Sequence, residues 1–146
     1  MLVGLHHTAI STPDLERSIA FYRDLFDFEI TMDWSWPKGT DAMDSTHRLR
    51  GTSGRVVMLE KGAARLEIFQ YETPTPQPES GERTNVDHGL CHFCFEVTDI
   101  PAEYERLRAA GVEFHHAPVD HGTCACTYAR DPDGNIIELI EYYAQD

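Results

Sequence analysis

Two stretches of the chain follow one plan. Gly4–Asp14 reads Gly-Leu-His-His-Thr-Ala-Ile-Ser-Thr-Pro-Asp, and Gly89–Asp99 reads Gly-Leu-Cys-His-Phe-Cys-Phe-Glu-Val-Thr-Asp. In each, a His precedes an Asp by seven residues: His7 before Asp14 and His92 before Asp99. In each, an apolar run of strand type leads to an Asp suited to start a helix. A pattern that recurs once, with the same spacing, limits the chain to a fold built twice from one module. His6 adjoins His7, but the repeat aligns Cys91 with His6 and His92 with His7. Alternation along a strand then puts His6 on the opposite face.

The elements between the two copies keep the same order. Leu2–Thr12 reads as a strand. Asp14–Asp27 has helical spacing, with Leu15, Ile19, Tyr22, Leu25 and Phe26 on one side, Thr12 or Asp14 as cap and Pro13 favoured early in the helix. Phe28–Trp34 is a strand, Ser35–Ser53 a long polar loop with room for a short helical turn, and Arg55–Glu60 with Ala64–Tyr71 a hairpin turning at Lys61-Gly62. Glu72–Asn85 holds Pro74, Pro76, Pro78 and Gly81 and reads as a linker. The second copy gives a strand at Leu90–Val97, a helix from Asp99 to about Ala110 stopped by Gly111, and strands at Val112–His116, Cys124–Arg130 and Asn135–Tyr143. The expectation is a single α+β domain over 1–146, two tandem βαβββ modules. Module one spans about 1–72, the linker about 73–86 and module two about 87–146. Neither sheet is large enough to close a core alone, so the modules pair, within one chain or across a dimer.

Composition narrows the partners. At 41% hydrophobic and 10% aromatic, 146 residues suffice for a core. A net charge of −13 repels phosphate and argues against nucleic acid. No apolar window is long enough to span a membrane, and no basic-then-apolar leader is visible, so the expected location is cytoplasmic. Cys91, Cys94, Cys124 and Cys126 offer a Cys-x-x-Cys and a Cys-x-Cys. Both lie in strand-like runs where Cys91 and Cys94 point opposite ways, which favours small buried thiols over zinc ligands.

The last strand of each module carries a Glu between apolar residues: Leu66-Glu67-Ile68 and Ile137-Glu138-Leu139. A carboxylate amid a strand is costly to bury without a partner. Convergence of His7, Glu67, His92 and Glu138 on one divalent transition metal (Zn, Ni, Co, Mn or Fe) supplies that partner; calcium is excluded by the imidazoles. The alternative is glutamates on solvated faces and histidines satisfied by hydrogen bonds in the core. Trp34, Trp36, Met43 and Tyr71 are candidates for an apolar pocket or for core packing. Lys38, Arg48 and Arg50 are candidates for a substrate anion or ordinary solvated charges. Among the remaining histidines, His121 is the best placed for a pocket, while His115 and His116 fall at an exposed strand end.

Leu5-His6-His7-Thr8-Ala9-Ile10-Ser11, with Asp14-Leu15-Glu16-Arg17-Ser18 and Phe21-Tyr22, resembles the opening of vicinal-oxygen-chelate (VOC) proteins. Asp131-Pro132-Asp133-Gly134-Asn135 before Ile137-Glu138-Leu139 is similar to their closing motif. The resemblance implies the glyoxalase/VOC fold, a U-shaped mixed sheet around a metal cleft, with ligands at His7, Glu67, His92 and Glu138. It implies a small-molecule substrate and a homodimer. A carboxylate as fourth donor is most like glyoxalase I: a lyase or isomerase that moves a proton next to a carbonyl through an enediolate or enolate, with Glu138 or Glu67 as base and Glu138 slightly preferred. Rival members are methylmalonyl-CoA epimerase, an Fe(II) extradiol dioxygenase using His7, His92 and Glu138, and a non-catalytic small-molecule-binding or resistance protein. Short bacterial glyoxalase I has an Arg four residues after its first His; Ser11 stands there, so glutathione is not carried over.

Overall fold

The computed structural model describes residues 1–77 and 83–144; Pro78 and Gly81 of the linker lie outside them. The chain divides into two compact units, Met1–Glu79 and Ser80–Asp146.

The first unit contains β1 (Thr8–Ser11), α1 (Leu15–Phe26), β2 (Glu29–Trp36), α2 (Asp41–His47), β3 (Ser53–Lys61) and β4 (Ala64–Thr73). Its sheet has the order β1-β4-β3-β2, with β1 parallel to β4 and the other pairs antiparallel. α1 lies against β3 and β4. Leu15, Ile19, Tyr22 and Phe26 are buried on the helix, and Val57, Leu59, Leu66 and Ile68 on the sheet. The helical period puts the first set on one side, and the strand period puts the second on one face.

The second unit contains β5 (Phe93–Glu96), α3 (Ile100–Ala109), β6 (Glu113–Phe114), β7 (Val119–Asp120), β8 (Cys124–Arg130) and β9 (Ile136–Tyr142). Its order is β5-β9-β8-β6, with β7 also paired to β8 and β5 parallel to β9. Ile100 and Leu107 of α3 and Ile137 and Leu139 of β9 are buried. These mixed sheets with helices are the α+β architecture expected from the repeat.

The helices start as their sequences require. Asp14 accepts from the Arg17 amide at 3.1 Å, and Asp99 from the Ala102 amide at 3.3 Å. Pro13 therefore precedes the cap instead of entering the helix. Ala110 caps the C-terminus of α3, and Gly111 follows at φ +93°, the left-handed conformation a helix stop uses. A second anchor repeats between units. Gln70 Oε1 accepts from the Leu15 amide at 3.1 Å. Glu141 accepts from the Asp99 and Ile100 amides at 2.8 and 3.0 Å. Gln70 stands three residues after Glu67, and Glu141 three after Glu138. An odd offset on a strand reverses the face, so each last strand clamps a helix on one side and presents a Glu on the other.

Two sequence expectations need correction, and a third is made specific. β1 and β5 are shorter than the apolar runs: Leu2, Val3, Leu5 and Leu90 are exposed and unpaired with any strand, so His7 and His92 immediately precede their strands. The loop after β2 is organised by α2. The four cysteines are not buried: Cys94 is exposed and the others are partly so.

Candidate metal centre

Each unit brings one His to one Glu. His7 Nε2 lies 3.3 Å from Glu67 Oε2, and His92 Nε2 lies 3.2 Å from Glu138 Oε2. The register is the same in both. Ala9 is the partner of Glu67, and Cys94 the partner of Glu138. In each case the His stands two residues before that partner, on the same face as the Glu. The glutamate side chains are 18% and 12% exposed, so each carboxylate is largely sheltered beside an imidazole. Among the described residues, no larger group of three or more His, Cys, Asp or Glu is gathered for an ion.

The donor spacing suits coordination. Metal–nitrogen and metal–oxygen bonds of about 2.0–2.2 Å at tetrahedral or octahedral angles put neighbouring donors roughly 3.0–3.5 Å apart. A plain N–H···O hydrogen bond centres nearer 2.9 Å. Each pair offers one imidazole nitrogen and one carboxylate oxygen, donors of the kind a divalent transition metal takes.

The surroundings of the two glutamates differ. Across from Glu138 on β8 stands Tyr128. Tyr128, Cys94 and Cys126 all lie close enough to feel the Glu138 charge. Partial desolvation, then the Glu138 carboxylate, pushes the Cys94 thiol and the Tyr128 phenol each up to about 12 and raises Cys126 as well. These groups therefore stay protonated. Across from Glu67 stand Met58 on β3 and Ala9 on β1, which carry no donor. Cys91 Sγ meets His92 Nδ1 at 3.3 Å. His6, expected on the far face, has its Nδ1 2.9 Å from His7 Nδ1. Both residues precede β1, where strand alternation has not begun.

An aromatic cluster continues the Glu67 face. Phe69 and Tyr71 follow Glu67 at two and four residues along β4. Their rings stack at 5.7 Å and 17°. Trp36 stands across them, 5.4 Å from Tyr71 at 82° and 6.2 Å from Phe69 at 77°. Trp36 is buried and donates from Nε1 to Thr52 Oγ1 at 3.1 Å, and Thr52 Oγ1 in turn donates to Asp44 on α2 at 2.7 Å. Gly54 makes room for it: a Cβ there would come within 2.8 Å of the indole. Trp34 stacks on Trp36 at 5.8 Å and is 44% exposed. His47, the last residue of α2, touches the rings of Trp36, Phe69 and Tyr71, and its Nδ1 is 2.8 Å from the Tyr71 hydroxyl. Burial, then the Glu67 charge, raises the Tyr71 pKa, so the phenol stays neutral.

Of the sequence candidates, Trp36 is core, Trp34 is surface and Tyr71 joins the cluster. Lys38, Arg48, Arg50, His115, His116 and His121 are exposed. Phe69 was readable from the alternation Glu67-x-Phe69-x-Tyr71. Cys94, Cys126 and Tyr128 needed the pairing register, and His47 needed the path of the loop.

A family model described as the Glyoxalase/Bleomycin resistance protein/Dioxygenase superfamily matches residues 4–139. The chain belongs to this superfamily. It is 27% identical to a lactoylglutathione lyase of Pseudomonas aeruginosa, over 93% of this chain and 81% of that one. It is 29% identical to a 2-epi-5-epi-valiolone epimerase of Actinomyces, over 73% of this chain and 58% of that one. A glyoxalase family protein of Bacillus cereus shares the fold, with a TM-score of 0.87 at 20% identity, covering 99% of this chain and 97% of that one. Members of the superfamily are mostly enzymes, lyases, epimerases and dioxygenases among them. Among the described residues, no helix is long and apolar enough to cross a membrane.

Proposed function

We propose that this chain is a divalent-metal-dependent lyase or isomerase that moves a proton between positions next to a carbonyl. The observation that carries the reading is the repeated His–Glu pair, His7 with Glu67 and His92 with Glu138, at matching distance and register. In this reading His7, Glu67, His92 and Glu138 hold one ion of Zn, Ni, Co, Mn or Fe, and the chain works as a homodimer. Such an ion, when bound, supplies Lewis-acid polarisation of a substrate oxygen.

The chain's own residues divide the remaining work. Glu138 stands beside His92 and between its register partners Cys94 and Tyr128, protic neighbours that suit a fixed donor. Glu67 faces Met58 and Ala9, so its carboxylate swings without breaking hydrogen bonds to them. Glu67 is therefore the better base, taking the proton on a carboxylate oxygen and returning it at the neighbouring position. This reverses the slight preference for Glu138 that the resemblance left. A dioxygenase reading leaves Glu67 off the metal, which the equivalence of the two pairs opposes.

The test is exchange of substrate C–H with solvent deuterium across a panel of hemithioacetals and 2-hydroxy ketones, followed by NMR. The expected result is exchange that stops on chelation and returns with a divalent ion. Turnover that requires iron and consumes oxygen, without exchange, would contradict it.

A further inference from the structure

We infer that Lys38, Arg48 and Arg50 make the loop around α2 a binding site for a small molecule that carries a phosphoryl group. The inference goes beyond the proposed reaction and does not depend on it.

Of the 12 Lys and Arg residues, Arg23, Arg55, Lys61, Arg65, Arg106 and Arg108 sit in ion pairs with Asp or Glu. Lys38, Arg48 and Arg50 are exposed, and among the described residues their side chains make no ion pair or hydrogen bond. All three belong to one loop of a chain whose net charge is −13. Acids are at hand in that loop and are not used. Asp44 gives its carboxylate to the Gly51 amide, the Thr52 amide and the Thr52 hydroxyl, at 2.5, 2.8 and 2.7 Å. Asp41, on the first turn of α2, makes no ion pair with the three cations. A cation suits the C-terminal end of α2, which Arg48 caps, but that end accounts for one charge and not for three.

The backbone that carries these cations is pinned. The Asp44 carbonyl accepts from the Leu49 amide at 2.9 Å, which together with the Asp44 carboxylate folds residues 48–52 onto α2. Thr40 donates to the Pro37 carbonyl at 2.8 Å and closes the turn that holds Lys38. Lys38 reaches the residue after Arg50: a Cβ on Gly51 would lie 3.2 Å from Lys38 Cε. His47, the residue before Arg48, meets the Tyr71 hydroxyl at 2.8 Å. Tyr71 is rooted roughly 13 Å from Glu67 along β4, so the loop forms a site apart from that carboxylate.

The donors define the ligand. Two guanidinium forks and an ammonium match an anion with several oxygens and more than one negative charge. A phosphate monoester or a pyrophosphate has both, whereas a single carboxylate leaves two of the cations unmet. Size follows from the charge around the loop. At physiological salt the field falls off over about 8 Å, so a small anion meets the three cations and little of the acidic surface beyond them. A nucleic acid or an anionic membrane would also meet the rest of a chain of net charge −13.

The test is calorimetric titration of the full chain with pyrophosphate, inorganic phosphate and acetate at equal ionic strength. The chain is first stripped of divalent ions, so that no metal draws the anion. The expected result is pyrophosphate binding about tenfold more tightly than acetate, with phosphate between them. Lys38→Gln and Arg50→Gln each lower pyrophosphate affinity about threefold. Arg48→Asn does the same, and Asn tolerates the φ of +52° at that position. Arg23→Gln, which takes one charge from the ion pair with Asp24, leaves the affinity unchanged. Equal affinity for the three anions, or an Arg23→Gln loss as large as that of the loop variants, would overturn the inference. So would sedimentation with phosphatidylserine vesicles that the loop variants abolish, in a chain with no affinity for pyrophosphate. Absent deuterium exchange with pyrophosphate binding intact would count against the proposed reaction and leave the loop site standing.

Discussion

The two glutamates occupy matching places and have different neighbours, and the consequence is testable residue by residue. Glu67→Gln is expected to lower proton exchange by about 10²–10⁴-fold, the usual worth of a positioned base, while retaining substrate affinity. Tyr128→Phe, which removes the hydroxyl of the residue paired with Glu138 across β8, is expected to weaken metal retention more than it slows exchange per bound ion. Parallel titrations of metal content and exchange rate check both. Asp44 gives a pH prediction. The Thr52 hydroxyl, then the Thr52 and Gly51 amides, hold its carboxyl below the usual carboxylate range. A depressed folded pKa means that this contribution is complete above the unfolded value and is lost as pH falls through the folded one. The Trp36 environment should therefore change only in acid, below about pH 4, and Asp44→Asn should remove that transition. Tryptophan emission against pH reads the outcome. The ligand candidates were legible at this scale because they repeat in type and spacing. The unequal neighbours were not, because Met58 and Tyr128 reach the glutamates through strand pairing, which residue spacing does not encode.

Among the elements, the last strand of each unit joins the helix to the site. Gln70→Ala and Glu141→Ala each remove a side-chain acceptor from a helix start, at an expected cost of about 1 kcal/mol. Thermal melts should show both losses, and the metal affinity of each variant should fall because Glu67 or Glu138 lies on the other face of the same strand. Melts lowered with no change in metal affinity would separate the clamp from the site. Helices were legible here: caps at Asp14 and Asp99 and an apolar stripe at helical spacing act within a few residues. Strand starts were not. Leu2, Val3, Leu5 and Leu90 extend the apolar runs, but no neighbouring strand meets them, and apolarity alone does not make a pairing partner. α2 was visible only as room for a helical turn, since its seven residues carry no buried stripe; Asp44 and His47 hold it through contacts distant in sequence.

For the whole molecule, the repeat was the most informative property of the sequence, and it foretold two mixed sheets each with a helix on one face. Superfamily membership follows from nearly the full chain. Substrate identity does not, because Phe69 and Tyr71 on the Glu67 face, and His47 against them, lie outside the repeated pattern. The account stands on one central claim, that the two His–Glu pairs serve a single ion. Elemental analysis of the purified chain and of its His7→Ala and His92→Ala variants tests it directly. The account predicts a divalent transition metal in the unaltered protein, in a ratio of one ion to each His7–Glu67 and His92–Glu138 set, and its loss from both variants although they alter different units. Metal retained in full by either variant, or two ions per chain lost one at a time, would contradict it.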